Sequence, residues 1–308
     1  MISRISDNAR FNTIAGNISN LQDSTRSAAD QLATQKRINQ PSDDPEGTTI
    51  VLNLRAAGAS IDQYKENIIS GETWLKITEL NLSSINDLVM QAQAVAQNAE
   101  GTSADRSAAA DSIQNIMDQM LSLANAKLDG RYIFSGSKTD TEPFAVAVND
   151  TPPPAHFYDY NGDNQSLNIN IGQNSSTGYN IIGDAVFPAS AGGGVALLET
   201  LDALKTALLS DDSAAIAAAV TDVENACQQV QQQVQDSVAK TSAMLSNLEF
   251  ANNHLTYLKN LVGSMISKSE DADTAQVTME FQMQALALNA SYTVAAKMNE
   301  GSILNFLQ

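Results

Sequence analysis

The sequence predicts a mainly α protein: a long antiparallel helical bundle rod, a terminal coiled coil of its N- and C-terminal helices, and a small inserted β domain. Three observations predict it. From Ile216 to Met265 one row recurs at steps of four and three, through Val220, Val223, Cys227, Val230, Val234, Ser237, Thr241, Met244, Leu248, Ala251, Leu255, Leu258 and Val262. A 3.5-residue repeat sustained over about 50 residues keeps one seam against a partner helix, and at helical rise it spans roughly 75 Å. Two shorter rows lie in residues 1–38 and 61–99, and from Arg131 to about residue 194 the helical period is lost.

The composition suits long, narrow bundles. Aromatic residues are 5% of the 308 residues and prolines number 7, so packing must come from small and aliphatic side chains. With 17 basic against 35 acidic residues the net charge is −18. Such a chain repels phosphate backbones and anionic lipid, which argues against nucleic-acid binding and membrane insertion. The single cysteine, Cys227, permits no intramolecular disulfide and falls on the long seam, where it reads as a small core residue. Residues 1–17 lack the apolar core of a cleaved secretory signal, and no run reaches the ~18 apolar residues of a membrane helix.

In chain order, Phe11, Ile14, Ile18, Leu21, Thr25, Ala28 and Leu32 make a narrow stripe suited to one partner helix. Asn39 to Gly47, with Pro41 and Pro45, turn the chain, and Asp43 and Asp44 read as turn and N-cap residues. The next row runs Ile61, Tyr64, Ile68, Gly71, Leu75, Thr78, Leu82, Ile85, Val89, Ala92, Ala96 and Ala99, with Trp74 on a bundle flank. After Glu100-Gly101-Thr102 a further helix presents Ala109, Ile113, Ile116, Met120 and Leu123, with Gly130 as its C-cap.

Arg131 to Gly136 then reads as a strand. Asn161-Gly162 predicts a hairpin between residues 155–160 and 166–171, and Gly192 to Gly194 a flexible return to helix at Val195 to Leu209. After the acidic run Glu270 to Asp273, whose paired acids read as solvated caps, the last helix carries two apolar rows. The first is Phe281, Ala285, Leu288, Tyr292 and Ala295; the second is Met279, Met283, Leu286, Ala290, Val294 and Met298. A stripe this wide needs more than one neighbour, and a single-striped N-terminal helix leaves one row in water.

The domain division expected is a terminal coiled-coil assembly domain of residues 1–40 and 270–308, a helical rod of 41–140 and 195–269, and a β insert of 141–194. The candidate subunit-assembly residues are Phe11, Ile14, Ile18 and Leu21 near the start, with Met279, Phe281, Met283, Leu286, Leu288, Tyr292, Val294 and Met298 near the end. No catalytic, cofactor or metal constellation can be assembled. Only His156 and His254 are present, each reading as a surface or flanking residue, and no nucleotide fingerprint appears. The chain is not expected to be an enzyme.

Four stretches together resemble the flagellin superfamily: the opening Arg4-Ile5-Ser6 with the Asn-rich helix, Arg37-Ile38-Asn39-Gln40-Pro41-Ser42-Asp43-Asp44-Pro45, Gly130 to Thr139, and the end from Glu270-Asp271-Ala272-Asp273 to Ile303-Leu304-Asn305-Phe306-Leu307-Gln308. Within it, Pro41 to Pro45 and Tyr132-Ile133-Phe134-Ser135-Gly136-Ser137 are similar to the FlgL family of hook-associated proteins. The resemblance implies an adaptor at the hook-filament junction that self-assembles helically through its terminal helices. Its implied partners are neighbouring copies, the preceding hook-associated protein, flagellin and an export chaperone. Its implied location is the extracellular flagellum, reached by type III export without a cleaved signal. Two other readings are flagellin itself, distinguished by its far greater abundance, and a surface adhesin presenting the β insert, which would lose its activity on deletion of residues 145–190.

Overall fold

The computed structural model describes residues 2–99, 103–146, 158–189 and 195–306. Its elements run α1 (Ile2–Thr34), α2 (Pro45–Gln97), α3 (Ser103–Ala124), β1 (Lys127–Leu128), β2 (Arg131–Tyr132), β3 (Phe144–Val146) and β4 (Tyr158–Tyr160). They continue through β5 (Asn168–Gly172), β6 (Ser175–Gly178), α4 (Gly183–Val186), α5 (Ala196–Ser210), α6 (Ser213–Glu270) and α7 (Thr274–Phe306). Seven helices and three two-stranded antiparallel sheets among the described residues make the mainly α architecture that the apolar rows predict. The chain divides into two compact units, residues 1–60 with 257–308 and residues 61–256.

The unit of residues 61–256 is organised by two seams. On α2, Ile61, Ile68, Leu75, Thr78, Leu82, Ile85, Val89, Ala92 and Ala96 are all buried, and Ala99 just beyond it is too. On α6, Ile216, Val223, Cys227, Val230, Val234, Ser237, Thr241, Leu248 and Leu255 are buried. The two seams meet: the Cys227 thiol lies 3.7 Å from the Val89 carbonyl oxygen, and Lys65 donates to the Thr256 hydroxyl at 2.9 Å. Two of the polar entries in the rows are satisfied locally. Thr78 donates back to the Trp74 carbonyl and Thr241 to that of Ser237, each at 2.8 Å. Met265, the expected end of the long seam, is instead 44% exposed, while its neighbour Ile266 is half-buried. A straight helix drifts by about 20° per heptad against a 3.5-residue row, so over this length the covered position passes to the next residue.

Helices α3 and α5 pack together, contributing buried Ile113, Met117 and Met120 from one and Leu197, Leu201 and Leu204 from the other. Helix α3 ends at Ala124, and Gly130 is not its C-cap. Asp129 (φ 50°) and Gly130 (φ 79°) form the two-residue turn that pairs Leu128 with Arg131. Positive φ at both turn residues matches the right-handed twist of a hairpin, and Asp-Gly suits it. The strand expected over Arg131 to Gly136 is therefore only Arg131–Tyr132.

The Asn161-Gly162 hairpin is also corrected. Strand β4 pairs back with β3, with Phe144 opposite Tyr160, and the other hairpin joins β5 to β6. The ring of Phe144 stacks against Tyr160 at 5.1 Å and edge-on against Phe187 at 5.3 Å, which favours the β3-β4 pairing. After Gly162 the chain is tied by Asp163, whose carboxylate accepts the Ser137 backbone N–H at 2.7 Å and the Ser137 hydroxyl at 2.5 Å. These bonds hold its carboxyl below the usual carboxylate range. The tie explains the Phe134-Ser135-Gly136-Ser137 sequence: Gly136 has φ 69°, and a Cβ there would collide with the Asp163 carbonyl oxygen. Gly136→Ala is therefore expected to destabilise this unit by about 2 to 4 kcal/mol in chemical denaturation. Trp74 is buried, not on a flank. It is 1% exposed, stacked edge-on with Tyr179 at 5.8 Å and covered by the Arg131 guanidinium at 4.9 Å.

Thr102, Pro152 to Pro154, His156 and Gly192 to Gly194 lie outside the described residues.

Candidate functional site

The first unit is assembled around the loop after α1. Gln35, at φ 59°, ends that helix, and the next residues pair antiparallel with the link between α6 and α7. The Arg37 N–H donates to the Glu270 carbonyl at 2.6 Å, and the Ala272 N–H to the Gln35 carbonyl at 3.0 Å. The Pro41 to Pro45 stretch is built as a cap. The Asp43 carboxylate accepts the N–H groups of Asn39 and Gln40 at 2.9 and 2.8 Å, and that of Asp44 accepts the Gly47 N–H at 2.8 Å. Pro45 is then the first helical residue, where its missing N–H costs nothing. The Gly47 bond, followed by the Arg37 guanidinium at 3.0 Å, holds the Asp44 carboxyl below its ordinary range.

Glu270 corrects the expectation of a solvated acid. It is 5% exposed, with Lys36 Nζ 2.6 Å from Oε1 and Arg55 Nη2 2.7 Å from both carboxylate oxygens. Burial works against its charge, but the two cations and their hydrogen bonds prevail and its carboxyl is held below the usual range. One carboxylate thus ties the loop after α1, the first turns of α2 and the end of α6. The signal available in the sequence was charge complementarity, Lys36-Arg37 against Glu270-Asp271.

Asp273 opens α7 by accepting the N–H groups of Ala275 and Gln276 at 3.0 and 3.1 Å. From that joint α7 runs back along α1, with Gln22 donating to the Tyr292 hydroxyl at 2.6 Å. Ala28 and Val277 are buried, while Ile14, Ile18, Leu21, Thr25, Leu32, Phe281, Ala285, Leu288 and Ala295 are half-buried. Among the described residues, the second row of α7 stands largely uncovered. Met279 is 60% exposed, Met283 65%, Leu286 72% and Val294 50%, and Tyr292 of the first row is 44% exposed. The side chains of Phe11 and Met298 fall outside the described residues.

Large exposed apolar patches are, in proteins generally, the kind of surface that partners cover. Burying each large side chain against a partner is worth roughly 1.5 to 3 kcal/mol. Chemistry is sparse elsewhere. Burial, followed by the nearby Glu224, pushes the Cys227 thiol up to about 12, and His254 is exposed. Among the described residues no group of three or more His, Cys, Asp or Glu side chains could hold a metal ion, and no helix is long and apolar enough to cross a membrane.

The chain is similar to known flagellar proteins. Residues 5–139 match the bacterial flagellin N-terminal helical region. The chain is 26% identical to flagellar hook-associated protein 3 of Salmonella typhimurium, over 97% of this chain and 98% of the relative. It is 29% identical to flagellar hook-associated protein 3 of Escherichia coli, over 83% and 78% of the two chains. The crystal structure of Xanthomonas campestris FlgL shares the fold with a TM-score of 0.59 at 18% identity, covering 70% of this chain and 99% of that one.

Proposed function

We propose that this chain is a FlgL-type hook-associated protein, a structural adaptor at the hook-filament junction of a bacterial flagellum. The reading rests on likeness to two hook-associated protein 3 sequences, over 97% of this chain in one case and 83% in the other, and on one observation in the molecule, the exposed second row of α7. A helix that already packs its first row on α1, and still shows Met279, Met283, Leu286 and Val294 to water, is built to be covered by another chain. Copies of this chain cover it in the assembled ring, and before assembly an export chaperone does. The ring receives the preceding hook-associated protein on one side and flagellin on the other. The chain reaches this extracellular position by export without a cleaved signal.

The flagellin match over residues 5–139 supports a second reading, the filament subunit itself. Deleting the gene in the source bacterium separates the two. A junction adaptor leaves hooks bare while flagellin is still made and released, and full-length chain restores attached filaments. Filaments that remain anchored without it would overturn the proposal. Loss of flagellin itself would favour the second reading.

A further inference from the structure

Net charge and exposed apolar side chains are sorted in opposite directions between the two units. Residues 1–60 with 257–308 carry 9 basic and 11 acidic residues, a net of −2, whereas residues 61–256 carry 8 basic and 24 acidic residues, a net of −16. Among the described residues, the smaller and nearly neutral unit holds ten of the fifteen large apolar side chains that stand exposed, including Met279, Met283, Leu286 and Val294 of the second α7 row.

We infer that the charge of residues 61–256 gates self-association through the terminal helices, so that association strengthens as ionic strength rises. The inference rests on the junction reading and adds the regulation of the same surface. Covering the α7 row requires close approach of copies, and each copy brings sixteen net negative charges with it. Like charges closer than a screening length repel, and that length is about 8 Å at physiological ionic strength. A net charge far from zero keeps a chain soluble and monomeric even when part of its surface is apolar. The arrangement lets one chain carry an uncovered apolar row without aggregating at low concentration, yet associate once crowding or salt offsets the repulsion. The opposite case, an interface made of ion pairs, would weaken with salt.

Sedimentation velocity of the purified full chain at about 20 mM and about 300 mM NaCl tests this, since screening lengths there are roughly 20 Å and 6 Å. A charge-reduced variant replaces six exposed acids on the helices of residues 61–256: Glu66→Gln, Asp87→Asn, Asp111→Asn, Asp222→Asn, Asp236→Asn and Glu249→Gln. A row variant carries Met283→Asp with Leu286→Asp. The expected result is wild-type association that begins at about tenfold lower concentration in high salt. The charge-reduced variant should associate in low salt nearly as wild type does in high salt, and the row variant should stay monomeric in both. A charge-reduced variant that behaves as wild type, or association that weakens with salt, overturns the inference and leaves the junction reading standing. A row variant that associates as wild type does, or a wild type that stays monomeric throughout, counts against both.

Discussion

Met283→Asp with Leu286→Asp is expected to leave the monomer as stable as the wild type to within about 1 kcal/mol and to abolish attachment of filaments. Both side chains already face water, at 65% and 72% exposure, so the folded monomer loses little burial. What it loses is helix propensity, about 0.5 kcal/mol per residue. In an assembly that covers the row, the same changes remove roughly 3 to 6 kcal/mol of apolar burial and place two carboxylates against apolar surface. That corresponds to about 100-fold to 10,000-fold weaker association per contact. Circular-dichroism melts of the monomer together with swimming of the complemented strain check it. Phe281→Asp with Leu288→Asp provides the contrast. These residues are half-buried on the row that packs along α1, so their replacement should loosen the helix pair itself and show in the melt.

Glu270→Gln is expected to be the most damaging conservative change in the first unit, costing about 1 to 3 kcal/mol. Glutamine keeps the shape but cannot answer the charges of Lys36 at 2.6 Å and Arg55 at 2.7 Å. The cost stays below that of a fully buried pair because the side chains of Lys36 and Arg55 are 43% and 50% exposed and can turn to water. The effect carries a pH signature. The carboxyl is held below its ordinary range in the folded chain, so its contribution is complete above the unfolded value near 4.5 and fades as pH falls through the lower folded value. The difference in stability between wild type and Glu270→Gln should therefore be constant near neutrality and shrink below about pH 4. Urea titrations at several pH values measure it. A gap that widens on acidification would contradict the assignment of the Lys36, Arg55 and Glu270 cluster.

The helical architecture was legible because its cause is local and periodic. The rows from Ile61 to Ala99 and from Ile216 to Leu255 are buried or half-buried along their length, and each could be read from spacing alone. The same reasoning overran at Met265, because periodicity in the chain does not record the drift of a straight helix against its partner. The β insert was harder. Strands of two to five residues carry almost no period, and the Asn161-Gly162 signal was outweighed by the stacking of Phe144 on Tyr160 and Phe187 and by the tie from Asp163 to Ser137. Asp129-Gly130, a true hairpin turn, sat beside strands too short to draw attention. At the site, the two rows of α7 and the shortage of partners for them followed from the sequence, as did Asp44 as a cap. The burial of Glu270 did not, because a charge becomes a core group only through residues more than 200 positions away.

Oxidative labelling of methionine tests whether other copies cover the second row of α7. Met279 and Met283, 60% and 65% exposed, should oxidise readily in the purified monomer and become protected in intact hook-filament junctions. Met90, 48% exposed in the acidic unit, serves as an internal comparison. Protection of Met279 and Met283 while Met90 still reacts is the predicted result; continued oxidation of both α7 methionines in assembled junctions would contradict it.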